Sequence, residues 1–126
     1  MPRILVVVLF VLSLSTVALA QDPVKVDANH YKVEFENDQV RVLRIKVGPK
    51  EKSIMHQHPN AVAIFMTDVN GNFTFPDGKS EAVTSKAGEI RWTPAITHLP
   101  ENLGDQPFEV ILVELKQKIV TKTTTQ

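Results

Sequence analysis

The side chains best suited to chemistry are histidines. Four occur in the chain, and His56 and His58 stand two apart in a stretch with a strand pattern. Side chains at i and i+2 of a strand share a face, about 6.5–7 Å apart along it. Two imidazoles so placed can converge on one ion, because metal–nitrogen bonds are about 2.0–2.2 Å long. A pair alone does not complete a site, and His98, at the end of a later strand segment, is the candidate third ligand. Gln57 belongs to the opposite face of a regular strand, so it is not a ligand. His30 lies in the lead-in to the domain and reads as a surface residue. Imidazole ligation suits a divalent transition metal (iron, copper, nickel or zinc) better than calcium or magnesium. An isolated H-x-H pair is more often a solvated pair than a metal site, so the surrounding frame has to decide.

Other chemistries find little support. Without cysteine there is no thiol catalysis, and no G-x-S-x-G elbow or phosphate-binding loop occurs. The acidic residues sit mostly at strand edges and turns, which argues against a paired-carboxylate hydrolase. No acid–base residue can be named. Arg44 and Arg91 could hold a substrate carboxylate if they point inward, although arginines in strands more often face solvent. Asn102 reads as the cap of a turn over Leu103-Gly104-Asp105. Met55, Phe65, Met66, Phe73, Phe75, Trp92 and Phe108 are candidates for the core or a pocket wall. Asn72-Phe73-Thr74 matches the N-glycosylation pattern but falls in a strand, where the match carries little weight.

The elements that must position these residues are strands. Tyr31–Glu36 alternates apolar and charged residues, the period of a half-buried strand. Val40–Val47 is rich in β-branched residues, and its apolar phase shifts between Val42 and Leu43, which suggests a bulge or burial on both faces. Ser53–His58 and Ala61–Thr67 follow, separated by Pro59-Asn60. Asn70-Gly71 is a hairpin signal and Pro76-Asp77-Gly78-Lys79 a tight turn, with Phe73–Phe75 a short strand between them. Glu81–Ser85 and Glu89–Thr93 flank Ala87-Gly88. Phe108–Leu115 is a long apolar run that reads as a central strand. Many short strands with regular turn signals imply an all-β sandwich or barrel in a single domain.

The ends and the charge balance bound the rest. Residues 1–20 have the layout of a cleaved secretory signal: Arg3, an apolar run from Ile4 to Leu12, and Ala18-Leu19-Ala20 before Gln21-Asp22-Pro23. That run is shorter than the roughly 20 residues needed to cross a bilayer, so no stable membrane insertion is expected after cleavage. The expected organisation is a signal peptide over 1–20, a lead-in over 21–30, the barrel over 31–116 and a polar tail over 117–126, in an exported, periplasmic or secreted protein. The whole chain has 14 basic and 14 acidic side chains, which gives no footprint for nucleic acid. With no disulfide available, stability must come from burial, a metal or a subunit partner.

Five residues separate Gly88 from Pro94, three separate His98 from Asn102, and Gly48 precedes His56-Gln57-His58. In this frame the sequence resembles the cupin superfamily, and from Tyr31 to Leu115 it resembles small exported bacterial cupins of the cupin 2 conserved-barrel type. The resemblance implies a double-stranded β-helix, or jelly-roll, barrel with His56, His58 and His98 around a metal, and a homodimer covering exposed edges. The chain departs from the family pattern in several places. Gly48 lies two residues too far from His56, and His98 comes one residue early. The usual glutamate ligand falls on Val62 or Ala63, neither of which can bind a metal. What remains is three imidazoles without a carboxylate, a site that favours an anionic ligand in its open positions. Two functions follow as expectations. One is a metal-dependent oxidoreductase, dioxygenase-like, acting on a small anionic metabolite. The other is a non-catalytic barrel binding a small ligand or a protein partner, with a degenerate metal site. A polar group facing the interior near the histidines would favour the first.

Overall fold

The computed structural model describes residues 21–118; the signal peptide expected over 1–20 and residues 119–126 lie outside them. One short helix, α1 (Pro23–Val26), precedes nine strands: β1 (Tyr31–Glu36), β2 (Val40–Val47), β3 (His56–His58), β4 (Ala61–Phe65), β5 (Val69–Thr74), β6 (Ser80–Ser85), β7 (Ile90–Thr93), β8 (Ile96–Asn102) and β9 (Phe108–Leu115). They form a five-stranded sheet in the order β1-β2-β9-β4-β7 and a four-stranded sheet in the order β3-β8-β5-β6. Every pairing is antiparallel. The fold is the expected all-β jelly roll, and no helix among the described residues is long and apolar enough to cross a membrane.

β9 is the central strand its apolar run implies, held between β2 and β4. Its period of two sends Phe108, Val110 and Leu112 inward, where they pack with Leu43, Ala63 and Phe65. The turns fall where glycine permits them: Gly78 and Gly88 have φ of 84° and 87°, a left-handed region that side chains disfavour.

Several expectations are corrected. β2 runs in unbroken register along β9, from Val40↔Leu115 to Val47↔Phe108. The slip falls at the expected Val42–Leu43 step, but the extra residue is in β1, between Val33 and Phe35. Asn70-Gly71 is no hairpin turn but the interior of β5. A Cβ on Gly71 would stand 2.8 Å from the Glu101 carbonyl oxygen, so glycine serves close strand approach there. His98 is not at the end of its strand: β8 runs on from Ile96 to Asn102, joins β3 to β5 and carries His98 into the interior. Met66, 50% exposed, is neither a core residue nor part of the cavity wall, whereas Trp92, 53% exposed, is no core residue but does border the cavity.

Candidate metal centre

The three histidines meet inside the barrel. β3 presents His56 and His58 inward and Gln57 to solvent, as the period of two requires. β8 lies beside β3 with His98 directly opposite His56. All three are buried, at 1%, 4% and 6% exposure. One ring nitrogen from each falls within 4.8 Å of the others, and the rings stack edge to face at 4.6–5.4 Å between centroids.

Local contacts fix how these rings are oriented. His56 Nδ1–H donates to the Ile54 carbonyl at 2.6 Å, which leaves the lone pair on Nε2. That Nε2 lies 2.9 Å from His58 Nε2. Ligand atoms about 2.1 Å from a shared ion would stand about 3–3.5 Å apart, so the spacing suits one centre. Both nitrogens of His98 and Nδ1 of His58 are buried without a hydrogen-bond partner among the described residues. Leaving such a group unsatisfied costs about 1–3 kcal/mol, and folds rarely keep one unless something binds there. Burial, then the neighbouring His58, lowers the His56 pKa to about 4. Burial, then His56 and His58, lowers that of His98 to about 2. Both rings are therefore neutral near pH 7, the form that binds metal. The residues present fit a divalent transition metal.

The sequence reading missed a carboxylate at this site. Glu114, only 2% exposed, comes from β9 opposite Ala61, whose small side chain leaves room for it. Its Oε2 lies 3.8 Å from His58 Nδ1. Its Oε1 accepts from Arg41 Nη2 at 2.9 Å and Nε at 3.1 Å, and Arg41 Nη1 donates to Asp22 at 2.7 Å. The 3.8 Å to His58 is too long for a hydrogen bond, yet the carboxylate stands on the side of the ring where a ligand histidine commonly finds one. Glu114 thus places a carboxylate one residue behind the histidine cluster. The two positions expected to hold a glutamate do not: Val62 pairs with Trp92 on the outer face, and Ala63 faces inward without a donor atom.

On the other side of the cluster, Ser53 donates to Asp27 at 2.7 Å and lies 3.4 Å from His56 Nδ1. His30 bridges Asp27 at 2.8 Å and Glu51 at 2.6 Å, so the expected surface histidine is a half-buried clamp between the lead-in and the β2–β3 loop. Burial disfavours its cation, yet the hydrogen bonds to Glu51 and Asp27 prevail and raise its pKa. Tyr31, 2% exposed, stands edge-on to His56 at 4.7 Å. Burial raises its pKa, so it remains a phenol. Asn102 does cap the expected turn, accepting from Gly104 N–H at 2.9 Å, and it also donates to the Val47 carbonyl at 3.0 Å.

A cavity of about 450 Å³ opens from His58 and His98, walled by residues such as Phe65, Phe73, Phe108 and Leu112. Arg91 also lines it, while Arg44 lies on the outer face, paired with Glu34 and Glu109.

Two sheets of this order, with the three histidines on neighbouring strands of the smaller one, define a cupin-type double-stranded β-helix barrel. Three solved structures share the fold. One is a cupin domain from Bordetella pertussis Tohama I, 24% identical over 69% of this chain and 92% of that one, with a TM-score of 0.64. Another is an RmlC-like cupin family protein from Methanocaldococcus jannaschii, 20% identical over 71% and 83%, with a TM-score of 0.53. The third is a cupin 2 conserved-barrel domain protein from Salinispora arenicola, 22% identical over 70% and 76%, with a TM-score of 0.51. At these identities the likeness shows the fold alone. No protein-family model matches the chain, and no curated protein matches it.

Proposed function

We propose that the protein is an exported cupin barrel that holds a divalent transition metal on His56, His58 and His98 and uses it as an oxidoreductase centre, dioxygenase-like, for a small anionic metabolite. The observation that carries the metal is His98, whose two buried nitrogens have no partner among the described residues while they stand beside two further imidazoles. When bound, the ion would supply Lewis-acid or one-electron chemistry at its open positions. The chain's own part is to hold three buried rings in place, to stand the Glu114 carboxylate beside His58, and to exclude water with apolar walls. Tyr31, edge-on to His56, and the Ser53 hydroxyl, 3.4 Å from His56 Nδ1, are neutral proton donors beside the cluster. The apolar cavity otherwise offers little for acid–base chemistry, which favours redox chemistry at the ion over an isomerase or lyase. The same apolar lining also favours the second reading, a barrel that binds a small ligand without turnover. Export rests on the layout of residues 1–20.

The discriminating experiment is oxygen uptake by the protein loaded in turn with iron, copper, nickel and zinc, across small thiols, diketones and hydroxy acids. Metal- and substrate-dependent uptake that disappears in His58→Ala supports the enzyme. Ligand binding with no uptake for any of them supports the second reading.

We also propose a homodimer. On the outer face of the five-stranded sheet one apolar row crosses every strand: Phe35, Val42, Val113, Val62 and Trp92 are successive cross-strand neighbours. Phe35, Trp92 and nearby Ile90 are 54%, 53% and 68% exposed. A continuous apolar face of this kind is a common site of association. Sedimentation equilibrium is expected to give twice the chain mass for the wild type and a monomer for Trp92→Lys. A monomeric wild type removes the dimer.

A further inference from the structure

We propose that the cavity above the histidines takes an amphipathic carboxylate, with its apolar body among the phenylalanines and its anionic head on Arg91 at the mouth. This deepens the function proposed above by naming the substrate class, and it rests on that reading only for what happens at the ion.

The placement of Arg91 follows from register. It pairs with Ala63 across β4 and β7, and residues directly opposite share a face, so Arg91 shares the inward face of Ala63. Its guanidinium carbon lies 5.2 Å from the centre of the Phe65 ring, which itself lines the cavity. The side chain is 39% exposed. Arg91, Thr84 and Val69 border both this cavity and a neighbouring polar groove on the surface. The cation therefore stands where the apolar interior meets water.

Its hydrogen-bonding capacity is only partly used. Nη2 donates to Glu89 at 2.6 Å and to the Thr84 carbonyl at 3.3 Å. Nε and Nη1 have no partner among the described residues. The contact with Glu89 is half exposed on both sides, and a pair in that setting contributes little that a second carboxylate could not share. Apart from Arg91, the only charged side chain on the wall is Glu81, an exposed residue of β6.

The rest of the wall restricts the ligand body. Phe73, Phe75, Phe108 and Leu112 offer no hydrogen bond, so a sugar or other polyol would lose its water without replacement. An aryl or alkyl chain gains about 25 cal/mol for each Å² buried there. A cationic head would meet Arg91 and, beyond it, the ion. At about 30 Å³ for a water-sized group, the 450 Å³ cavity accommodates on the order of a dozen non-hydrogen atoms.

The test is titration calorimetry with 4-phenylbutyrate, 4-phenylbutan-1-ol and butyrate, on the protein as purified and after dialysis against a chelator. Phenylbutyrate is expected to bind at least about tenfold more tightly than the alcohol in both preparations, the scale of one charge-assisted hydrogen bond. Butyrate is expected to be weaker still. Arg91→Gln should bring the acid down to the level of the alcohol while leaving the alcohol unchanged, which also shows that the variant is folded. Arg91→Lys should restore part of the preference. Equal binding of acid and alcohol, no binding of either, or a preference that survives in Arg91→Gln overturns the proposal. A preference seen only before chelation assigns the carboxylate to the ion and likewise removes Arg91. The metal content of the protein is measured separately, so a barrel without a metal can still show the Arg91-dependent preference, and a metalloprotein can fail to show it.

Discussion

Replacing His98 with leucine is expected to stabilise the metal-free barrel while destroying its capacity for metal. The two nitrogens of His98 are buried and unpartnered among the described residues, and each unsatisfied polar group costs about 1–3 kcal/mol. Leucine has nearly the same volume and packs on Phe73, whose ring centre is 4.3 Å from that of His98. Chemical denaturation after chelation should therefore show His98→Leu more stable than the wild type by about 1–3 kcal/mol. Added zinc should stabilise the wild type and leave the variant unmoved, because only a species that binds the folded state shifts the equilibrium. A variant less stable than the chelated wild type would mean that His98 is an ordinary core residue. The same exchange has a pH signature. His56 and His98 lie well below the usual imidazole value when folded, so the unfolded chain binds protons that the folded chain refuses. Wild-type stability after chelation should fall as pH drops below about 6.5, and should go on falling to about 4 for His56. In His98→Leu the part of that decline due to residue 98 disappears.

The second large effect belongs to Glu114. This carboxylate is almost fully buried, holds Arg41, and faces His58. Removing one partner of a buried pair leaves the other uncompensated, at a cost of about 3–5 kcal/mol. Asp22 still reaches Arg41 at 2.7 Å, which puts Glu114→Ala at the lower end of that range. Metal affinity should fall by about 10–100-fold, the usual price of losing the carboxylate behind a ligand histidine. The two consequences separate in Glu114→Ala/Arg41→Met: with both charges gone, stability should largely return while metal affinity stays low. Recovery of affinity in the double variant would show that Glu114 acts on the fold alone and does not position His58.

These residues differ in how far the sequence could disclose them. The pair His56 and His58 is legible because a strand has a period of two and Gln57 takes the other face. His98 is legible through the frame from Gly88 to Asn102, although the run of β8 beyond it is not: Pro100 and the polar residues Glu101 and Asn102 blur its alternation. Glu114 left a faint signal. It is in phase with Phe108, Val110 and Leu112, all inward. The outward phase holds Ile111, Val113 and Leu115, which are apolar as well, so the run reads as buried on both faces and no phase marks the glutamate as internal. The outer apolar row explains that composition, since Val113 lies between Val42 and Val62. His30 was not legible at all. Its partner Glu51 is 21 residues away and reaches it only when the β2–β3 loop folds back over the lead-in. Gly71 misled because Asn-Gly favours a tight turn locally, whereas the close passage of Glu101 is a tertiary demand.

If three imidazoles hold one ion, elemental analysis of untagged protein expressed from the full-length chain will find it. About one equivalent of iron, copper, nickel or zinc is expected per chain in the wild type, and almost none in a folded His98→Leu variant. Wild-type protein that is folded and free of all four metals, or equal metal in both proteins, would contradict it.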